Sequence, residues 1–329
     1  MSSAPRVSVV IPCHNQGRYL SDAIDSVLDQ TYANIEIIVV DDGSPDATQA
    51  IIRGYGDKVR SVLQAHRGVC AARNSGVRAS TGTYLQYLDA DDRLEREKIR
   101  RQVEFLERHP HIGIVYSDVR YFTTENPLER SHGPWADPLG RPWVGELWRA
   151  PGSMLIKLAH RNILPINCPL VRKQVANLVG RWNETLHAGE DWEYWIRCAA
   201  TGVKFHFEDL PGTLALVRLH DSSASTNRSK MEAGSFDMRL SVARSVNDKE
   251  FSATNFKNAL RWIEYSREDR VVRLWRLARA KRTLNGAVTA ILIWLFAENG
   301  PGYPMRRLMG RLMPRPVQKA FLRLMGMTG

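Results

Sequence analysis

Cysteine is scarce in this chain, with four residues among 329. These residues stand far apart, without a C-x-x-C pair and without histidines at zinc-finger spacing, which excludes a disulfide framework and a structural zinc site of that type. We therefore expect buried, reduced thiols in a cytosolic protein at Cys13, Cys70, Cys168 and Cys198.

Long apolar runs are missing as well. Met1 to Arg6 leads directly into a predicted strand, without the basic and apolar regions of a secretion signal. The best membrane candidate, Ala287 to Ala297, is too short to cross about 30 Å of hydrocarbon at about 1.5 Å per residue. These absences predict a cytoplasmic location.

Two glycine-rich phosphate-binding motifs are also absent. No G-x-G-x-x-G follows the first predicted strand, and no G-x-x-x-x-G-K-[ST] occurs anywhere. Dinucleotide-binding and P-loop proteins are therefore disfavoured. Any phosphate bound here would have to be held by a metal ion and by side chains.

Among the features that are present, three carboxylates within four positions are the most informative. Asp89-Ala90-Asp91-Asp92 follows Tyr84 to Leu88, a run that predicts a buried strand. Crowded carboxylates suit Mg²⁺ or Mn²⁺, which complete their shells with water and substrate phosphates. The alternative is that Asp89 and Asp92 cap a helix starting near Arg93.

Strands and helices alternate along the first half of the chain. The β-branched run Val7 to Ile11, which we expect Pro12 to end, is followed by helical periodicity over Arg18 to Gln30. The same analysis predicts strands at Ile35 to Val40, Val59 to Leu63, Ile112 to Tyr116, Lys204 to Phe207 and Thr213 to Leu219, and helices at Thr48 to Tyr55, Val69 to Ala79, Glu95 to Arg108 and Gly189 to Thr201.

This alternation predicts an α/β fold in which a mixed, mainly parallel sheet is flanked by helices. Ligands of such sheets bind beyond the carboxyl ends of the strands. Three polar sequences should therefore converge on one crevice: Pro12 to Asn15, Asp41 to Ser44 and Asp89 to Asp92. The segment from Thr123 to Gly152, rich in Pro, Gly and Trp, predicts a long surface loop over that crevice.

Positive charge is concentrated at the C-terminal end. Fourteen Lys and Arg but four Asp and Glu lie between Arg261 and Gly329, which gives +10 of the formal +11. Such a tail favours an anionic partner. Five cations recur every four residues, as on one face of a helix interrupted by Pro314 and Pro316: Arg307, Arg311, Arg315, Lys319 and Arg323.

That pattern is typical of an interfacial segment on an anionic membrane surface, with packing on the catalytic domain as the alternative. Nucleic acid is disfavoured as a partner because no recognition motif is present and aromatic residues are not interleaved with the arginines.

Five motifs in this order resemble family 2 of the nucleotide-sugar glycosyltransferases, which have the GT-A fold. The resemblance covers roughly Arg6 to Ser225 and is carried by Val9 to Asn15, Asp41 to Ser44, Gly68 to Gly76, Asp89 to Asp92 and Gly189 to Trp192. It implies a GT-A catalytic domain over 1–225 and a basic helical extension over 226–329. Within the domain we expect a nucleotide-sugar half at about 1–120 and an acceptor half at about 121–225.

The resemblance also implies a nucleotide-sugar site. Asp42 would accept a ring N–H if the base is uracil or thymine, which favours a UDP-sugar, and Asp89 would lie near the ribose. The full set implied by the resemblance is Pro12, His14, Asn15, Asp42, Arg73 and Asp89. From the residues alone, Asp42 could instead form only the turn after a strand, and Arg73 could be a solvated helix residue.

Metal and catalytic roles follow from the same resemblance. Asp91 would bind Mn²⁺ or Mg²⁺ between the two phosphates, with His220 as a further metal or diphosphate contact and Asp92 as a cap or supporting partner. Asp191 would be the catalytic base, supported by Glu190. The alternatives are that Glu190 and Asp191 only complement a helix dipole and that His220 is structural.

The implied activity is inverting, metal-dependent transfer of a single sugar to a hydroxyl of a glycan or lipid-linked acceptor, in surface polysaccharide or glycolipid synthesis at the cytoplasmic membrane face. A processive synthase is disfavoured because the chain lacks Q-x-x-R-W and a set of spanning helices. Two alternatives stay open: a non-catalytic nucleotide-sugar or glycan-binding module on the same fold, and a nucleotidyltransferase.

Overall fold

A computed structural model describes residues 4–131, 144, 148–149, 152–208, 210–221, 223 and 228–265. The predicted basic tail and most of the predicted surface loop at 123–152 lie outside these residues. Within them, no helix combines the length and apolar character needed to cross a bilayer. The four cysteines are buried and unpaired, as predicted.

A seven-stranded sheet forms the centre of the molecule. Its strand order is β3-β2-β1-β4-β8-β6-β9. All neighbours are parallel except β8, which runs antiparallel to both β4 and β6. Its strands are β1 (Val7–Cys13), β2 (Ile35–Asp42), β3 (Val59–Gln64), β4 (Tyr84–Tyr87), β6 (Ile114–Tyr116), β8 (Pro169–Arg172) and β9 (Phe205–Phe207).

A second, three-stranded sheet lies at the carboxyl ends of the first. Its order is β5-β10-β7, from β5 (Arg93–Leu94), β10 (Ala215–Leu219) and β7 (Val119–Thr123). The helices are α1 (Gly17–Leu28), α2 (Thr48–Gly54), α3 (Val69–Ala79), α4 (Lys98–Arg108), α5 (Met154–His160), α6 (Lys173–Val179), α7 (Glu190–Ala200), α8 (Arg228–Ser245) and α9 (Lys249–Tyr265).

The core lies on both faces of the central sheet. Side chains that alternate along β1, with Val9 and Val10 as examples, enter separate apolar clusters, one shared with α1 and α4 and the other with α5, α7 and α8. Gly76 allows α3 to approach β1 closely, because a Cβ there would lie 2.2 Å from Val10 Cγ1. The mixed, mainly parallel sheet flanked by helices is confirmed.

Two predicted boundaries are wrong in an informative way. β1 continues through Pro12 to Cys13. The carbonyl of Val10 accepts a bond from Leu88 on the β4 side, so Pro12, two residues on, also faces that side, beyond the last paired residue of β4. The missing N–H of Pro12 therefore breaks no ladder.

The second error concerns the helix expected from Glu95. It begins at Lys98, because Arg93–Leu94 pairs with β10 and extends the second sheet. Asp92 therefore precedes a strand rather than a helix, and the prediction that it caps a helix is wrong. This short strand is one of several elements that the sequence pattern did not indicate.

Candidate functional site

Loops beyond the strand ends enclose a crevice of about 560 Å³, within the usual size range of small-ligand pockets. Its walls come from the segments after β1 and β4, the N-terminus of α3, the loop before β8 and the N-terminus of α7. Among the sequence-predicted residues, its lining includes Pro12, His14, Arg73, Asp89, Asp91, Asp92, Glu190 and Asp191. Convergence of the first and third polar sequences is thus confirmed.

Asp91 lines this crevice and contacts His220. The Oδ2 atom of Asp91 lies 3.0 Å from the Nε2 atom of His220, although the two residues are 129 positions apart. Adjacent ligands of an octahedral ion with bonds of about 2.1 Å lie about 3.0 Å apart, so this pair fits two positions around Mg²⁺ or Mn²⁺. Water and phosphate oxygens would fill the others.

Asp92 is buried behind this pair and serves as a fixed acceptor. Its Oδ1 accepts the N–H of Arg218 at 2.8 Å, and its Oδ2 accepts a bond from Asn167. Burial and the neighbouring carboxylates of Asp91 and Asp89 raise its pKa well above the ordinary value. Asp92 therefore ties the acidic loop to β10 and to the loop before β8.

Arg218 and Asn167 are supporting residues that sequence reasoning missed. Arg218 also donates from Nε to the carbonyl of Asp91 at 2.9 Å, and Asn167 accepts the N–H of Asp89 at 2.9 Å. Each side chain thus fixes the backbone of the acidic loop. No local pattern indicates such roles, because both partners are distant in sequence.

At the end of β2, Asp42 is 2% exposed and is held by the chain itself. Its carboxylate accepts the N–H groups of Arg67 at 2.9 Å and Gly68 at 2.8 Å, as well as Gln64 Nε2. Asp42 is thus more than a turn former, since it organises the loop that leads into α3. Its side chain does not itself line the described crevice.

Two histidine rings cover this aspartate. His14 and His66 stack with centroids 3.9 Å apart, and their Nδ1 atoms lie 2.8 Å and 3.2 Å from the carbonyl of Asp42. In the described residues, His14, Asp42 and His66 form a group of three whose ligand atoms lie within 4.8 Å of one another. The rings face one another, however, so one ion could not lie in both ring planes as imidazole coordination requires.

Asn15 lies outside this crevice, beside His14 in a neighbouring groove. It adopts a positive φ of 54°, which asparagine tolerates better than most residues. Its N–H donates to Ser44 Oγ at 3.0 Å, while the N–H of Ser44 donates to Asp41 at 2.8 Å. These bonds join the loops after β1 and β2.

Arg73 occupies the boundary between the two sides of the crevice. Its guanidinium donates to Asp89 at 2.9 Å and to Glu190 at 3.0 Å, and lies over the ring of Trp182. The residue is 2% exposed, so it is not a solvated helix residue. Arg73 therefore links the acidic loop to the helix that carries Asp191.

Asp191 stands at the N-terminus of α7 and faces the crevice. Its Oδ1 accepts the N–H of Trp192 at 2.7 Å and its Oδ2 accepts Asn162 Nδ2 at 2.9 Å. Burial, reinforced by Glu190, raises its pKa to about 7, although Arg73 and both hydrogen bonds act in the opposite direction. A carboxyl with this pKa can take up a proton near neutral pH.

Helix α8 forms part of the wall on this side. Met231 lines the crevice, and Gly234 packs so closely on the chain before α7 that a Cβ would lie 2.4 Å from Ala188 Cβ. The buried Arg239 guanidinium lies over Trp192 and donates to the carbonyl of Ala159 at 2.8 Å. The described part of the C-terminal extension therefore packs directly on the site.

Comparison with known proteins identifies the family to which this chain belongs. Residues 8–169 match glycosyl transferase family 2. An uncharacterised glycosyltransferase of Rickettsia typhi is 32% identical over 224 residues, which cover 68% of this chain and 66% of that protein. One from Haemophilus influenzae is 28% identical over 253 residues, 74% of this chain and 92% of that protein.

A further relative, from Rickettsia prowazekii, is 33% identical over 195 residues. The chain spans 66% and 58% of the lengths of the two rickettsial proteins.

Solved structures share the fold. Staphylococcus aureus TarS 1-349, in complex with UDP-GlcNAc, superposes with a TM-score of 0.62 at 15% identity, over 84% of this chain and 81% of that one. The mannosyltransferase PcManGT of Pyrobaculum calidifontis, in complex with GDP-Man and Mn²⁺, gives 0.58 at 16%, over 97% and 84%. The sheet order, the crevice and these matches agree: the chain belongs to the family 2 glycosyltransferases and has their GT-A fold.

Proposed function

We propose that this protein is an inverting, metal-dependent glycosyltransferase that moves one sugar from a nucleotide-diphosphate sugar to an acceptor hydroxyl. The observation that carries the proposal is that a candidate metal ligand and a candidate catalytic base line one crevice. The Asp91–His220 pair lies on the strand-end side, and Asp191, with a pKa of about 7, stands at the N-terminus of α7. Relatives named as glycosyltransferases and neighbours solved with nucleotide sugars support the same conclusion.

Asp91 and His220 would hold Mn²⁺ or Mg²⁺, which neutralises charge that develops on the departing diphosphate. Asp191 then acts as the base. It takes the proton of the acceptor hydroxyl while that oxygen attacks the anomeric carbon from the face opposite the diphosphate, so the configuration inverts. A positioned base supplies about 10²–10⁴-fold in rate.

For the donor, we propose a UDP-sugar. His14, His66 and Pro12 would form the surface for the nucleotide base, and Asp89 would lie near the ribose. Asp42 Oδ2 lies 2.9 Å from His66 Nδ1, and the His66 side chain is 58% exposed. A ring N–H of uracil could replace that histidine contact. One structural neighbour was solved with UDP and the other with GDP-Man. The identity of the nucleobase is therefore to be tested.

For the acceptor, we propose a glycan or a lipid-linked glycan in surface polysaccharide or glycolipid synthesis, reached from the cytoplasmic face of the membrane. The basic residues between Arg307 and Arg323 would bind anionic lipid, each contributing about 1 kcal/mol. Full-length protein in which these five cations are replaced by Gln should lose co-sedimentation with anionic liposomes. Deletion of Pro301 to Gly329 should do the same, and unchanged co-sedimentation would contradict the membrane role.

The central experiment compares Asp191→Asn with Asp57→Asn, an exposed aspartate in the short 3-10 helix before β3. Purified proteins are given a panel of nucleotide sugars with Mn²⁺, first in a thermal-shift assay and then with acceptor sugars. We expect Asp191→Asn to keep donor-induced stabilisation and to lose at least about 100-fold in transfer rate. Wild-type transfer by Asp191→Asn would exclude Asp191 as the base, and a chain that no nucleotide sugar stabilises would contradict the donor assignment.

A further inference from the structure

Asn162 contacts the Asp191 oxygen that does not bond to the helix backbone. Its Nδ2 donates to Asp191 Oδ2 at 2.9 Å, and its own Oδ1 accepts the N–H of Leu164 at 3.1 Å. A backbone N–H can bond only to the oxygen end of an amide, so this second contact settles the orientation of the side chain. The NH₂ group of Asn162 must therefore face Asp191.

The segment that carries Asn162 is itself held at two carbonyls. Trp192 Nε1 donates to the carbonyl of Leu158 at 2.7 Å, and Arg239 Nη1 donates to that of Ala159 at 2.8 Å. These donors come from α7 and α8, so the C-terminal end of α5 is fixed to the same helices that surround Asp191. Asn162 is thus a pre-positioned donor on a fixed support.

The groups around Asp191 shift the ionisation of its carboxyl group in opposite directions. Burial and Glu190 disfavour its ionised form, whereas Arg73 on α3 favours it. Cys70 and Cys168 also interact with it, but burial keeps their thiols protonated, and Asp89 and His187 line the same crevice. The bonds from Trp192 and Asn162 both favour the carboxylate, because an ionised oxygen is the stronger acceptor.

The bond from the backbone of Trp192 cannot be removed by a side-chain substitution. Of these two hydrogen bonds, the one from Asn162 is therefore the bond that a side-chain substitution can remove. We propose that Asn162 is a positioning residue that keeps Asp191 ionised and directs its free lone pairs at the acceptor hydroxyl. The proposal rests on the proposed function, in which Asp191 is the base.

The test measures kcat for transfer from pH 5.5 to 9.5 in wild type, Asn162→Ala and Asn162→Asp, at saturating donor and Mn²⁺. Loss of one charge-assisted hydrogen bond should move the acidic limb of the profile up by about one pH unit. At pH 6 this is a loss of about tenfold, with little loss at pH 9. Asn162→Asp keeps the shape of the side chain but adds a negative charge. The acidic limb of its pH profile should therefore move to a still higher pH.

Asn177→Ala, at an exposed position on α6, is the matched control and should leave the limb in place. The pKa of the Asp191 carboxyl, read by ¹³C NMR and assigned with Asp191→Asn, should rise in Asn162→Ala and stay unchanged in the control. A structural role alone would lower kcat equally at every pH and lower Tm.

Two outcomes would overturn the inference. If Asp191→Asn abolishes transfer but the limb and the carboxyl pKa of Asn162→Ala match wild type, Asn162 has no such role and the proposed function stands. If Asp191→Asn retains wild-type transfer, the proposed function and this inference fail together.

Discussion

Arg73 Nη1 lies 3.0 Å from Glu190 Oε1, which joins α3 to the residue directly before Asp191. The same guanidinium holds Asp89 through its other terminal nitrogen. One buried cation thus spans the acidic loop and the helix of the proposed base. Lysine, with one ammonium group, cannot bridge two carboxylates in the same fork geometry.

We therefore expect Arg73→Lys to weaken both donor affinity and kcat, and Arg73→Ala to lower the free energy of unfolding by about 1–3 kcal/mol, since it leaves the partly buried carboxylates of Asp89 and Glu190 unpaired. Titration calorimetry with the nucleotide diphosphate and urea denaturation measure the two effects. Arg78→Lys, at an exposed position on the same helix, is the control. Full activity in Arg73→Lys would show that the bridge is dispensable.

The raised pKa of Asp191 predicts the pH dependence of both rate and stability. A base must be ionised, so kcat should fall as pH drops below about 7. The folded protein holds this proton more tightly than the unfolded chain, so the stability contributed by Asp191 is full below its unfolded pKa and is lost as pH rises through about 7. Asp191→Asn should therefore raise Tm more at pH 8 than at pH 5.

Substitution of either Asp91 or His220 should change the Mn²⁺ concentration that activity requires. We expect Asp91→Asn and His220→Gln each to raise the Mn²⁺ concentration for half-maximal activity by at least about tenfold, because each would remove one proposed protein ligand. His111→Gln, at an exposed position before β6, should have no effect. Mn²⁺ dependence equal to wild type in both variants would place the metal elsewhere.

Lys98 offers a test of stability away from the catalytic groups. It is fully buried and donates to Gln86, Gln102 and the carbonyl of Cys168, and burial lowers its pKa to about 7. The unfolded chain then binds more protons than the folded one between about pH 7 and the ordinary lysine pKa, so its contribution to stability increases with pH over that range.

Replacing Lys98 with Met should remove this increase. The difference in unfolding free energy between Lys98→Met and wild type, from urea titrations at pH 7 and pH 9.5, should shift in favour of wild type at the higher pH. A difference that is the same at both values would show that Lys98 stays charged in the folded protein.

Gly234 tests whether α8 positions the site. An alanine Cβ there would approach the Ala188 backbone oxygen to 2.7 Å, so either α8 or the chain before Glu190 must move. We expect Gly234→Ala to lower Tm and kcat together. Gly54→Ala is the matched control, because a Cβ at Gly54 meets nothing within 4 Å.

Much of the first half of the fold follows from local sequence. β-Branched runs and helical periodicity predict β1 to β4 and α1 to α3 within a few residues, because those segments alternate regularly and pack on both sheet faces. β5 and β8 are missed for a physical reason: Arg93–Leu94 and Pro169–Arg172 are short and form strands only through their distant partners.

The residues of the site likewise divide into those that local sequence predicts and those that it does not. Contiguous motifs predict the acidic loop and Asp191, which the structure brings to one crevice. Asn162, Asn167 and Arg218 could not be predicted, because the site residues that they hold lie 29 to 127 positions away in the sequence. The roles of the predicted side chains toward donor and acceptor stay predictions that the proposed variants address.

The place of β8 between β4 and β6 also bears on how the chain folds during synthesis. β4 can pair with β1 as soon as both have emerged, but its other edge has no partner until Pro169–Arg172 is made. A nascent or truncated chain that ends near residue 130 would display that open edge, which is a template for pairing with other chains. A fragment that ends near residue 120 is therefore a poor candidate for separate expression, and a fragment reaching past β8 is the shorter unit in which β4 is paired on both sides.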